Sequence, residues 1–226
     1  MNITNQNRLR KIGLILLGAT AIFNLLGGFG TTCAAFFTST FDSMAVINDY
    51  RIFYQLFVII TVALGFALFK VKKSFSTGES NSLKKILIIL LLGTLVGGVH
   101  MFMSQVLRGQ ASPANIKFYI NLITLIYFLF LSLPKFREVL AFPPENQKEE
   151  VKKREGISQM TIAIIILTVY HWTGTTHIVP EGNWIDALKI PILVSGVAFF
   201  IIGFIRYFHI KRFNLNPFTI SEDRIE

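Results

Sequence analysis

Charge is what this sequence has least of. Asp, Glu, Lys and Arg make up 15% of its 226 residues, against about 25% in soluble domains. Cys33 is its one cysteine, so no internal disulfide framework can form. A Gly-rich phosphate loop, a metalloprotease HExxH and a nucleophile elbow are all missing from the chain, so no motif supports catalysis and the balance tilts away from an enzyme. Charged side chains are also absent from the middle of every long apolar run. Ion-coupled pumps and carriers of charged substrates often hold a buried carboxylate, so this absence lowers both classes. It leaves room for a neutral-solute facilitator or a site built from His, Asn and hydroxyl groups.

What is present is apolar surface, 52% of residues by type, gathered into long runs rather than dispersed. A run of about 18 or more nearly uncharged apolar residues is a candidate membrane-crossing helix. Six occur, at about 12–37, 52–70, 86–107, 118–134, 157–178 and 190–206. They predict an all-α polytopic membrane helix bundle, one transmembrane domain over 1–226, with cytoplasmic loops 71–85 and 135–156. RLRK before the first run resembles a signal-peptide start, but the run is too long for a typical apolar signal region and reads as a retained helix.

The net charge of +9 does not imply nucleic acid. With six spans and the N-terminus inside, 18 of the 22 Lys and Arg fall on the cytoplasmic side, and Arg51, Arg108, Lys117 and Lys189 fall outside. That is the positive-inside bias, and it predicts both termini in the cytoplasm of a bacterial-type cell membrane. Anionic lipid headgroups are the natural counter-charge. The partners expected are the bilayer and either other membrane-complex subunits or copies of the same chain. Trp172, Trp184, Tyr50, Tyr54 and Tyr119 gather near the predicted outer interface, where amphipathic rings settle.

Inside lipid, polar side chains turn toward other helices, and helical spacing shows which share a face. Thr20, Asn24, Gly28 and Thr31 form one stripe on the first helix. Gly93, Gly97, His100 and Ser104 form another on the third, where Gly93 and Gly97 are spaced for close helix packing. Lys117, Asn121 and Thr124 follow on the fourth helix, and Thr161, Thr168, His171 and Thr175 on the fifth. These stripes predict an interior polar seam, densest in the outer half and opening outward.

His100 and His171 each lie fourteen residues beyond the cytoplasmic entries at Ile86 and Ile157. At 1.5 Å per residue both sit roughly 21 Å into a ~30 Å hydrocarbon layer. The plain account is two neutral histidines hydrogen-bonded to neighbouring hydroxyl or carbonyl groups. A functional account makes them axial ligands of a haem b, with phenylalanines walling the slot. Another gives them a copper or zinc ion or a polar ligand; Met103 lies about 60° from His100 around the helix, and thioether with imidazole suits Cu(I).

A second candidate lies at the outer rim. Gly30-Thr31-Thr32-Cys33 and Gly174-Thr175-Thr176-His177 end two outward-running helices, and Glu181 and Asp186 follow the second. Cys33, His177, Glu181 and Asp186 could bind a metal or an incoming substrate there. The local alternative is that Gly and Thr merely fray two helix ends. Three functional readings stand: a binding or permeation protein with its ligand near His100 and His171, a haem-bearing electron-transfer subunit, and an accessory subunit of a larger membrane complex.

Overall fold

In a computed structural model of the chain, residues 3–39, 42–136, 148–173, 178–179 and 182–208 are described. The apolar runs form long helices: α1 Ile3–Phe36, α2 Arg51–Thr77, α3 Ser82–Arg108, α4 Ala114–Ser132, α5 Lys148–Thr173 and α7 Lys189–Phe208, with the single turn α6 Trp184–Ala187 before the last. A 3-10 helix, Asp42–Tyr50, joins α1 to α2. Strands β1 Ile178–Val179 and β2 Gly182–Asn183 pair antiparallel in a two-residue ladder after α5.

Five helical segments, Asn5–Thr32, Ala45–Thr77, Ser82–Arg108, Ala114–Ser132 and Lys189–Phe208, are long and apolar enough to cross a membrane. The helices run further than the apolar runs. α2 continues to Thr77 and α3 begins at Ser82, so most of the expected loop 71–85 is helical and only 78–81 turns. Lys and Ser are competent helix residues, and lysine stems can lie along the helix while their heads reach water. Gly78 stops α2 at φ 78°, in the left-handed region that favours glycine, and Glu79 N–H closes the cap on the Ser74 carbonyl. Gly109 ends α3 in the same way at φ 70°. The charged stretch from Lys148 is likewise continuous with the apolar part of α5.

Short turns between α2 and α3 and between α3 and α4, and the 3-10 segment between α1 and α2, make α1 to α4 antiparallel neighbours. α1 packs on α2, α2 on α3, α3 on α4, and α4 back on α1, which closes a four-helix ring. α5 lies outside the ring against α1, and α7 packs on α5 as the other arm of a hairpin. Gly156 and Gly203 hold that hairpin together so closely that a Cβ on either would stand 2.7–2.8 Å from the other's carbonyl oxygen.

The ring is layered. Near the end that holds the α2–α3 turn, Leu14, Leu17, Leu68, Phe75, Ile86, Leu90, Phe128 and Leu131 fill an apolar core. Leu14, Leu17 and Ala21 follow the three-and-four spacing of one helical face. At the other end Ala34, Ala35, Ile47, Tyr54 and Phe57 form a second apolar cluster. Polar side chains lie between the two, as with Thr20 and Asn121, both 0% exposed. The outer surface is the reverse, with Ile59, Phe66, Leu95, Phe102 and Ile126 all exposed. Apolar outside and polar within is the arrangement a hydrocarbon solvent selects.

Candidate functional site

The polar layer is built on three pairings across the ring. At its base Thr20 and Thr124 share a 2.7 Å hydrogen bond. Thr20 spends its only proton on the Leu16 carbonyl, 2.8 Å away, so Thr124 is the donor between the two. One turn further on, Asn24 and Asn121 form a reciprocal amide pair: Asn121 Nδ2 donates to Asn24 Oδ1 at 2.8 Å, and Asn24 Nδ2 to Asn121 Oδ1 at 3.3 Å. Asn121 also donates to the Lys117 carbonyl of its own helix at 2.8 Å.

The third pairing joins Lys117 to His100. Lys117 occupies the first turn of α4 and is 3% exposed, and its Nζ lies 2.9 Å from His100 Nδ1. With Nζ as the donor, Nδ1 accepts and the ring proton belongs on Nε2. Phe57 stacks on the imidazole at 4.7 Å between centroids and Tyr54 meets it edge-on at 5.3 Å. The Tyr54 hydroxyl reaches Ser104 Oγ at 3.3 Å. Among the described residues no carboxylate pairs with Lys117.

Three glycines make this geometry possible. A Cβ at Gly97 would lie 3.1 Å from the Phe118 Cα, and one at Gly93 would overlap Asn121 Oδ1. Their absent side chains let α3 and α4 approach until Lys117 reaches His100. Gly27 on α1 opens a path for the lysine stem, since a Cβ there would overlap Lys117 Cδ.

Beside the ring a cavity of about 850 Å³ runs along α1, bounded mainly by α1, α5 and α7. Ile22, Leu26, Phe69, Ile166 and Ile192 are typical of its apolar walls, and Lys117, Thr32, Lys72, Gln159 and Ser195 are its polar ones. Phe29 and Phe66, which also line it, are both 61% exposed, so it reaches the outer face of the bundle. Lys117 therefore belongs to both the cavity wall and the polar layer.

The expected site residues divide on this geometry. Thr20, Asn24, Asn121 and Thr124 meet in the ring, with His100 and Ser104 above them. Gly93 and Gly97 form the α3–α4 seam. Gly28 faces Val62 of α2 rather than the polar layer. Thr31 is buried but bonds the Gly27 carbonyl of its own helix, and Thr161 and Thr168 do the same with Ile157 and Ile164. Met103 packs into the second apolar cluster.

The structure does not bring His100 and His171 together. His171 is exposed on α5 beside Tyr170, and α5 packs on α1 and α7 while α3 packs on α2 and α4. A haem held axially by both histidines does not fit that arrangement. A copper or zinc ion on His100 Nδ1 would have to displace Lys117 Nζ, 2.9 Å away. No group of three or more His, Cys, Asp or Glu side chains suited to a metal gathers among the described residues. Of the rim candidates Asp186 is exposed; Thr175, His177, Glu181 and the Cys33 side chain lie outside the described residues.

Lys117 is the residue of the polar layer that sequence reasoning undervalued. Its place four before Asn121 put it on the polar stripe, and its place near the start of a span counted it as an outer-loop charge. The stripe was the better guide, because a four-carbon stem carries the head inward past Gly27. The outer opening expected of the seam is also covered, by Ile47 of the 3-10 helix and by Tyr54 and Phe57. Comparison with family models, curated proteins and solved structures finds no match to this chain.

Proposed function

We propose that this chain is a six-span protein of a cytoplasmic membrane, both termini inside, that binds an anionic ligand at Lys117. α5 supplies the sixth span in this reading, and the basic residues concentrated on the cytoplasmic side support the orientation. The observation that carries the ligand reading is Lys117 itself. A cation 3% exposed, with no carboxylate partner among the described residues, lines a cavity large enough for a ligand. An isolated buried charge is expensive, and an intramembrane ionisable residue marks function by default. The cavity lies within the roughly 300–1,000 Å³ range of ligand pockets, mostly apolar with few polar groups. One of the three Lys117 donors goes to His100, which orients the head and leaves the charge for an anion.

Binding is favoured over passage through the ring. Below Thr20 and Thr124 the interior is closed by the apolar core, in which Leu17, Leu68 and Leu90 are 0% exposed.

The test is thermal unfolding of the purified protein in a neutral detergent with butyl phosphate as the probe. The wild type is expected to be stabilised in a concentration-dependent way. Lys117→Met, which keeps the stem and removes the charge, is expected to fold and show no ligand shift. An equal shift in both proteins, or none in the wild type, rejects the reading.

A further inference from the structure

The geometry points to an anionic glycerophospholipid as the ligand: its phosphate at Lys117 and one acyl chain in the cavity along α1. This rests on the anion-binding reading and adds the identity of the ligand's apolar part.

Three observations carry it. The first is shape. Ile22 and Thr32 both line the cavity, and ten residues of helix separate them, about 15 Å at 1.5 Å per residue. That is the thickness of one leaflet, half of a ~30 Å hydrocarbon layer. The stretch of α1 along the cavity is therefore about as long as one leaflet is thick. The second is access. Phe29 and Phe66 line the cavity and stand exposed among the apolar side chains of the outer face. What reaches the opening in this reading is what the bilayer itself contains, and a water-soluble anion would have to cross that apolar rim.

The third is charge. The cavity holds lysines toward opposite ends, and they are not equivalent. Lys72 lies in the field of Glu155, a carboxylate that also accepts the Ser76 hydroxyl at 2.6 Å and stands 3.7 Å from Arg206. Lys117 has no acidic neighbour among the described residues, whereas Lys72 shares Glu155 with Arg206. A phosphate monoanion matches one ammonium, and a zwitterionic headgroup does not. Apolar walls such as Ile166 and Ile192 then cover the chain, and Gly27 and Gly30, which both line the cavity, keep α1 from narrowing it. A basic pocket between membrane helices is a known way to hold an anionic headgroup.

The experiment reconstitutes the full chain in phosphatidylcholine nanodiscs doped with chain-spin-labelled phosphatidylglycerol or, separately, chain-spin-labelled phosphatidylcholine. Electron paramagnetic resonance then reads the motionally restricted fraction. The wild type is expected to prefer the anionic label by about fivefold, the discrimination one lysine near an anionic headgroup supplies. Lys117→Met is expected to bring the preference to about one, and so is Ile166→Trp, which narrows the cavity, while the restricted component of the lipids around the bundle remains for both labels. Equal restriction of the two labels by the wild type overturns the proposal without reliance on any variant. If butyl phosphate still stabilises the wild type in that case, the anion site stands and only its lipid identity fails. If butyl phosphate fails as well, both fall.

Discussion

Replacing Gly93 by alanine tests the close approach on which the polar layer depends. An added Cβ overlaps Asn121 Oδ1, the acceptor of the bond from Asn24. Either α3 moves away from α4 or the amide rotates out of its pair. Forcing a methyl into a filled seam costs about 1–3 kcal/mol, and leaving a buried amide unpaired adds about 1–3 kcal/mol. The better helix propensity of alanine returns about 1 kcal/mol. A net loss of about 3 kcal/mol lowers the melting temperature by roughly 6–12 °C for a chain of this size. Gly98→Ala is the internal control. Its Cβ meets only the Phe118 ring, at 3.3 and 3.4 Å, and a half-buried ring can turn aside. That variant is expected to match the wild type or exceed it slightly. Thermal unfolding in one detergent, followed by circular dichroism, compares the three proteins. If Gly93→Ala and Gly98→Ala melt together, α3 and α4 are not as close as the structure has them.

Two further outcomes are expected. Asn24→Leu alone strands the Asn121 amide in the ring and destabilises by about 1–3 kcal/mol, whereas Asn24→Leu with Asn121→Leu recovers most of the loss; a double-mutant cycle measures the coupling, and a value near zero removes the amide pair from the account. A topology reporter fused after Gln110 is expected to read as extracytoplasmic and one after Gln147 as cytoplasmic, and the reverse pattern refutes the proposed orientation.

The stripes of Thr20 with Asn24, of Gly93 with Gly97 and His100, and of Lys117 with Asn121 and Thr124 were legible because helical periodicity is local. A residue's face depends on a few neighbours and on which side the solvent takes, and a hydrocarbon solvent sends polar groups inward. The partner of His100 was not legible. His171 matched it in depth, yet matching depth says nothing of which helices touch. The ring closes between α4 and α1, which leaves α5 outside and His171 exposed. The cavity was invisible for the same reason: its walls come from helices far apart in the chain, and the residues lining it look like ordinary apolar filler.

The sequence by itself determined that this is a chain of long apolar helices with inward polar faces, because composition and period act residue by residue. It also placed the glycines whose missing side chains allow contact. Tertiary structure alone decided that the interior cation is Lys117, that its partner is His100, and that a cavity of about 850 Å³ lies against it. Those outcomes depend on how helices α1 to α5 are arranged around one another, and packing is a property of pairs of surfaces that no single stretch of sequence contains.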